Sequence, residues 1–307
     1  MHTMNLFSQK RILFLVLAAC SIYPIYKGIN AWDRRNDGFA IEKIGSEYAS
    51  DPKWNIAYTP QEIAKVNHLL DQPFSYLGRG FQCYAFISAD GNYVLKFVRY
   101  QRLRPPEIFD WLPQIEWVKK MKQEKQELHD KRKNYIFTSF KLAYECVPHE
   151  TALLYVHLNK TKGLHKRVCI RDRVGTTYEI PIDRYEFVLQ QKAFLIKPTI
   201  EQLMREGKVD EAKKRIGQIF QLLTSCAKKG VLDTDGALIR KNNLGFLDDR
   251  AIYIDAGKLA LKSKIKRKKV FVKDLKRLRP FEKWLEEHYP SLVPSFDRQK
   301  QLAIEEF

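Results

Sequence analysis

The chain has 307 residues, 45% hydrophobic and 29% charged, which suits one large core or two lobes and argues against a disordered or fibrous polymer. Its five cysteines are odd in number and widely spaced, with no CxxC or Cys/His cluster, so neither a disulfide framework nor a zinc module is expected. The globular part therefore reads as reduced and intracellular. The formal net charge of +18 is concentrated in Lys262 to Arg279, where ten Lys and Arg stand against one acid, Asp274. Such a run attracts an anionic membrane surface or nucleic acid; the plainer reading is a solvated face. No aromatic-rich strand motif or helix-turn-helix pattern accompanies it, so a nucleic-acid partner is not expected.

Residues 1–29 read as an N-terminal anchor. Ile12 to Tyr26 is an uncharged, mostly apolar stretch behind Lys10 and Arg11. It is short against the roughly 17–25 residues a spanning helix needs, and snorkelling of Lys27 extends it. Leu17-Ala18-Ala19-Cys20 also fits a lipoprotein cleavage box, with Cys20 as the lipidated residue. The apolar run continues past Cys20, and Lys27, Arg34 and Arg35 follow it. The expectation is an uncleaved single-pass anchor with a cytoplasmic domain.

Residues 30–71 read as a connector and a helix. Thr59 is its N-cap, Pro60 its first residue, and Ile63, Val66 and Leu69-Leu70 form one face. Phe74 to Ile87 then reads strand, Gly78-Arg79-Gly80 turn, strand. Asp90-Gly91 makes a hairpin turn into Tyr93-Val94-Leu95-Lys96-Phe97. Two glycines in such a turn let backbone N–H groups approach phosphate oxygens, although a tight hairpin is the commoner reason for them. Lys96 is more telling, because an apolar strand does not carry a lysine without a partner. Arg99 to Pro106 is a basic loop, and Ile115 to Tyr144 reads as a long helix. Thr151 to Leu158, a hairpin over residues 167–182, and Glu186 to Gln190 complete an expected five-stranded unit. His149, His157 and His165 show no metal-like spacing.

Ile200 to Met204 and Val209 to Lys228 read as helices, the second closed by Gly230. Next come Asp233-Thr234-Asp235, then Asn242 and Asn243, and an apolar run ending in Ile254-Asp255-Ala256-Gly257. A strand that delivers a carboxylate onto a glycine turn suits a metal ion, and carboxylate and amide oxygens are donors that Mg²⁺ accepts. A hairpin with polar turns accounts for the same residues without a ligand. Val272 to His288 reads as an amphipathic helix whose Phe281, Trp284 and Leu285 are core.

Taken together, Gly78-x-Gly80, Lys96, Asp235, Asn242 and Asp255-Ala-Gly257 resemble the protein-kinase-like fold in a divergent form, over about residues 72 to 259. The resemblance implies a two-lobed α+β architecture with an N-lobe at 72–192 and a short C-lobe at 193–307. It also implies ATP and Mg²⁺ as cofactors. Gly78 and Gly80 would cover the nucleotide, Lys96 would hold its phosphates, and Asp235 would orient a hydroxyl acceptor. Asn242 and Asp255 would bind the metal. Gln190 to Ala193 would be the adenine hinge, and one of Glu116, Glu127 or Glu145 would pair with Lys96. The departures leave alternatives open. Cys83 stands where a third loop glycine is usual, and the Asp235 to Asn242 gap is two residues longer than in the family pattern. Asp233 competes with Asp235 as base, and Asn243 with Asn242 as ligand. No Ala-Pro-Glu motif appears, so a small-molecule, sugar or lipid-linked acceptor is expected rather than a protein. The alternative to a membrane-associated kinase is a pseudokinase or nucleotide-binding scaffold without turnover.

Overall fold

Short hairpin signals organise the first half of the chain. In the computed structural model, which describes residues 27–28, 31–103, 105, 111–113, 115–236, 238–239 and 242–307, they build one seven-stranded sheet. The expected membrane segment, Ile12 to Tyr26, lies outside the described residues. Among the described residues no helix is long and apolar enough to cross a membrane.

The sheet runs β4-β7-β3-β2-β1-β5-β6. Its strands are β1 (Phe74–Arg79), β2 (Cys83–Ser88), β3 (Tyr93–Val98), β4 (Leu153–His157), β5 (Arg167–Arg171), β6 (Thr177–Pro181) and β7 (Phe187–Gln191). The unit has seven strands rather than five, and the expected hairpin lies at the free edge of β1, with β5 parallel to it. Gly91, at φ 75°, closes the β2–β3 turn, a conformation that costs a residue without Cβ little.

One face of the sheet carries an aromatic core. Phe74, Tyr84, Phe86, Phe97, Tyr155 and Phe187 point into it, and Phe39, Ile44, Val66 and Leu70 cover it from the segment before β1. Phe39 meets Tyr84 and Phe86 edge-on, both at 5.2 Å. Helix α1 (Pro60–Leu70) starts as the sequence requires: Thr59 and Glu62 exchange hydrogen bonds in a capping box.

The other face packs on helix α2 (Glu116–Cys146), followed by the single turn α3 (Pro148–Thr151). The helical half contains α4 (Ile196–Arg205), α5 (Val209–Lys228), α6 (Lys268–Leu275), α7 (Arg279–His288) and α8 (Val293–Glu306). Two small sheets lie among them. β8 (Phe194–Leu195) pairs with β10 (Leu244–Leu247), which pairs with β11 (Arg250–Tyr253), while β9 (Val231–Asp233) pairs with β12 (Leu259–Leu261). The molecule is therefore a mixed α+β protein with a sheet part and a helical part. The helix expected over Val272 to His288 is divided, since a 3-10 turn at Lys276–Leu278 separates α6 from α7. The break turns Leu275 and Leu278 into the same core as Phe281 and Leu285.

His157, His165 and Asp183 meet beneath the sheet despite their sequence spacing, with ligand atoms within 4.8 Å of one another. Each is already satisfied. His157 contacts Tyr185 O and Thr161 Oγ1, His165 contacts Asn67 Oδ1 and Tyr155 Oη, and Asp183 accepts from Thr161 Oγ1 and Leu164 N. Burial, with His157 beside it, pushes His165 down from 6.5 to about 4. Between those values the unfolded chain takes up the proton and the folded one does not. Stability is therefore expected to be complete above pH 6.5 and to decline as pH falls towards 4. Melting temperatures measured across that range should fall less steeply for His165→Gln than for the parent; parallel slopes would contradict it.

Candidate functional site

The strand β3 alternates so that Leu95 and Phe97 enter the aromatic core while Lys96 faces the opposite side. There its ammonium donates to Gln190 Oε1 and to the carbonyl of Ile254, each at 2.6 Å. Gln190, on β7, is only 2% exposed. Its amide donates onward to Thr151 O and Tyr253 O at 2.6 and 2.9 Å. Burial pushes the Lys96 ammonium below its ordinary pKa, and the charge of Asp255 opposes that shift.

The expected glutamate partner is not found on α2. Glu116 pairs with Lys119, Glu127 accepts from Gln123, and Glu145 pairs with Lys141. The part of α2 that faces the site offers Ser139 instead, whose hydroxyl donates to Ala256 O at 2.6 Å. Gln190 thus serves as the lysine's partner from within the sheet, in place of the hinge position expected for it.

The β10–β11 hairpin delivers the second group of residues. Asn242 sits at φ 55°, a left-handed conformation that asparagine tolerates better than most residues. Asn243 follows, and its carbonyl accepts from Ile254 N at 2.7 Å and Asp255 N at 3.3 Å. Asp255 Oδ1 then accepts from Gly257 N at 3.1 Å, a side-chain turn that fixes the carboxylate's direction. Gln82 of the Gly78–Gly80 turn closes over this segment and donates to Gly257 O at 2.9 Å. A Cβ on Gly257 would overlap Gln82 Oε1, so a larger residue here would displace the end of the Gln82 side chain and its bond to Gly257 O.

These elements enclose a cavity of about 180 Å³. Gly80, Lys96, Asn242, Asn243 and Asp255 line it, with Ala85, Leu153 and Val188 as apolar walls. Four of the residues expected at a nucleotide and metal site therefore come together from distant parts of the chain: Gly80, Lys96, Asn242 and Asp255. Asn243, the alternative to Asn242, lies there too. Gly78 does not line this cavity; it sits where the β1–β2 register slips. The Gly80 N–H is already given to Cys83 O at 2.8 Å within the hairpin. Burial pushes the Cys83 thiol up to about 12, so it is protonated at ordinary pH.

The two candidate bases occupy different environments. Asp233 ends β9 and is 1% exposed; its Oδ1 accepts from Asp235 N at 2.7 Å. Arg277 approaches Asp233 Oδ2 to 3.6 Å and also bonds Asp274 and the Asp235 carbonyl. Burial raises Asp233 to about 7, with the neighbouring Asp255 and Asp235 adding to the shift. Asp235 does not line the cavity. Its Oδ2 accepts from Lys258 at 2.6 Å and from the Asn243 amide at 3.3 Å. Burial lowers the pKa of Lys258, but the hydrogen bond and charge of Asp235 outweigh that and hold it above its ordinary value. Asp235 is 8% exposed and is tied to Asn243, which lines the cavity.

A scan against protein-family models finds no match, and a search of the curated proteins finds none either. Among solved structures, this chain is similar to the 2.2 Å crystal structure of WbdD, at 14% identity and a TM-score of 0.33, over 74% of this chain and 48% of that one. A second structure, of the bifunctional kinase-methyltransferase WbdD, gives 14% identity and 0.32 over 73% and 47%. WbdD with the kinase inhibitor LY294002 gives 15% and 0.32 over 74% and 45%. The chain thus spans about half the length of these structures, and superpositions this loose establish no common fold.

Gln82 and Lys258 were not picked out as site residues from the sequence, and Gln190 was expected at the adenine hinge rather than as the partner of Lys96. A glutamine in the apolar run Phe187-Val188-Leu189-Gln190 is a usable signal, since a buried amide demands partners. Gln82 and Lys258 carried none. Because a Cβ on Gly257 displaces the Gln82 amide from its bond to Gly257 O, Gly257→Ala is expected to lower stability by about 1 kcal/mol. In a chain that already carries Gln82→Ala, the same change should cost little in a denaturant titration. Additive losses in the double variant would show that the loops do not meet there.

Proposed function

We propose that this chain is a kinase-like phosphotransferase that moves the terminal phosphoryl group of Mg·ATP to a hydroxyl acceptor. The observation that carries the proposal is the cavity at which Lys96, Asn242, Asp255 and Gly80 meet from four separate segments. A lysine, an amide and a carboxylate around one small cavity are the set that nucleotide phosphates and their metal require. The donor set fits Mg²⁺, since Asn242 and Asp255 offer oxygens and no histidine or thiolate competes for the role. Among the described residues Asp255 forms no ion pair within 4 Å, and Lys96 lies near enough to feel its charge. When bound, the ion would neutralise charge on the phosphates.

In this reading Lys96 binds the phosphates as a point charge, and Asn242 and Asp255 hold the metal. Asp235 accepts the proton of the acceptor hydroxyl, with Lys258 and Asn243 holding its carboxylate in place. Asp233 shapes the turn through its bond to Asp235 N. The acceptor is a small molecule, sugar or lipid-linked group.

A specific observation favours a second reading, a nucleotide-binding scaffold without turnover. Ligand pockets for drug-sized molecules measure roughly 300–1,000 Å³. This cavity is about 180 Å³ and is capped by Gln82. Two of the three Lys96 donors are also taken up by Gln190 and Ile254. Nucleotide entry therefore requires the Gly78–Gly80 turn to lift and the Lys96 bonds to be exchanged.

A thermal-shift titration of the full chain with Mg·ATP tests both readings. The parent is expected to be stabilised, and Lys96→Ala and Asp255→Asn to lose that stabilisation. Asp235→Asn should keep the shift yet lose ATP consumption by at least about 100-fold. Retained consumption in Asp235→Asn would exclude it as base, and a shift without consumption in the parent would select the scaffold. No shift at millimolar Mg·ATP would remove the nucleotide altogether.

We further propose that the exposed lysines and arginine at 266–269 hold the site against an anionic membrane. Lys266, Arg267, Lys268 and Lys269 are all exposed, on the turn into α6. Each adds roughly 1 kcal/mol when it lies at an anionic surface. Changing all four to Gln should reduce the preference for anionic over neutral liposomes by well over tenfold. An unchanged preference would show that this run does not face lipid.

A further inference from the structure

Beside the nucleotide cavity, and sharing Gln82 with it, lies a second and larger one of about 360 Å³. Among the described residues lining it, five are cationic, Arg99, Arg102, Lys131, Arg132 and Lys258, and none is acidic. Arg99 is 5% exposed, and one side of its guanidinium is held by Gly80 O at 2.6 Å and by the Tyr84 ring. Its Nε is buried and has no partner, and neither has Gln82 Oε1. Arg102 lies over the Phe81 ring at 4.4 Å. Burial and the like charges of Arg99 and Arg79 depress its pKa. Among the described residues, none of Arg99, Arg102, Lys131 and Arg132 is in an ion pair with an acid. Arg102, Lys131 and Arg132 are exposed, so water screens much of their mutual repulsion, while the buried Arg99 Nε offers a donor that an anion in the cavity can answer. Phe81, Leu103 and Ile136 give the same cavity an apolar wall.

We infer that this cavity binds a phosphomonoester, its phosphate on Arg99, Arg102 and Arg132 and its organic part on Phe81, Leu103 and Ile136. Guanidinium groups match phosphate oxygens in fork geometry, and the apolar wall excludes a bare inorganic ion as the best fit. Lys258 joins the cavity to Asp235 at 2.6 Å, so the ligand lies beside the proposed base. That the ligand is also the phosphoryl acceptor rests on the phosphotransferase reading; that it binds does not.

The test uses the full chain in neutral detergent micelles. Two probes distinguish the sources of such a group: phenyl phosphate in solution, and phosphatidic acid doped into the micelles with phosphatidylcholine as the blank. Saturable binding of either probe is expected, weakened at least about tenfold in Arg102→Ala/Arg132→Ala and less in Arg102→Lys/Arg132→Lys. The alanine variant should keep the parent's melting temperature without ligand and its response to Mg·ATP, whatever that response is. Binding of neither probe by the parent overturns the inference, as does equal binding by the alanine variant. One-for-one displacement of phenyl phosphate by Mg·ADP also overturns it, by placing the anion in the nucleotide cavity.

Discussion

A half-buried ammonium, that of Lys96, is the constraint on which the arrangement of this molecule turns. An isolated charge there would be costly, so its three donors must be answered. Gln190 and the carbonyl of Ile254 answer two of them. Because Gln190 also donates to Thr151 O and Tyr253 O, the lysine draws together β3, β7, α3 and the end of β11. The sheet part and the helical part are joined at this point by polar bonds. Around it the core of Val98, Leu153, Val188, Phe246 and Tyr253 supplies the apolar area. The polar centre decides register, and the apolar surround supplies most of the stabilisation.

Charge is distributed unevenly about that centre. Asp235 and Asp255 lie close enough to Asp233 to make its ionisation more costly; Arg277 opposes that at Asp233, and Lys258 pairs with Asp235. Arg277 comes from the basic run 262–279, so that run is not a uniform surface feature: its early part is exposed and one later arginine is a structural counter-ion. On the other side of Gln82 the balance reverses, and cations line a cavity with no acid among its described walls.

Much of the architecture was legible from local pattern. The capping box at Thr59, the Asp90-Gly91 turn, the β5–β6 hairpin and the helix closed at Gly230 all follow from propensities acting within a few residues. The demand of Lys96 for a partner was legible as well, from its apolar neighbours. The identity of that partner was not. A glutamate on α2 was expected, but those glutamates pair along their own helix, where i,i+3 and i,i+4 neighbours are always in reach. The single amphipathic helix over Val272 to His288 failed for a similar reason. A continuous apolar stripe satisfies the periodicity, and a 3-10 break satisfies the shape of the core into which Leu275 and Leu278 must fit.

By itself, then, the sequence determined the α+β class, the hairpins, and the short list from which the cavity is built, Gly80, Lys96, Asn242 and Asp255. Those depend on spacing, glycine and asparagine conformations, and the cost of placing a charge in an apolar strand, all of which act locally. Only the tertiary structure decided that Gln190 holds Lys96, that Gln82 closes on Gly257, that Lys258 pairs with Asp235, and that five cations share one cavity. Each of those contacts joins segments far apart in the chain, and no periodicity records which distant side chain will answer a buried donor. That choice is made by packing, when the sheet and the helices meet.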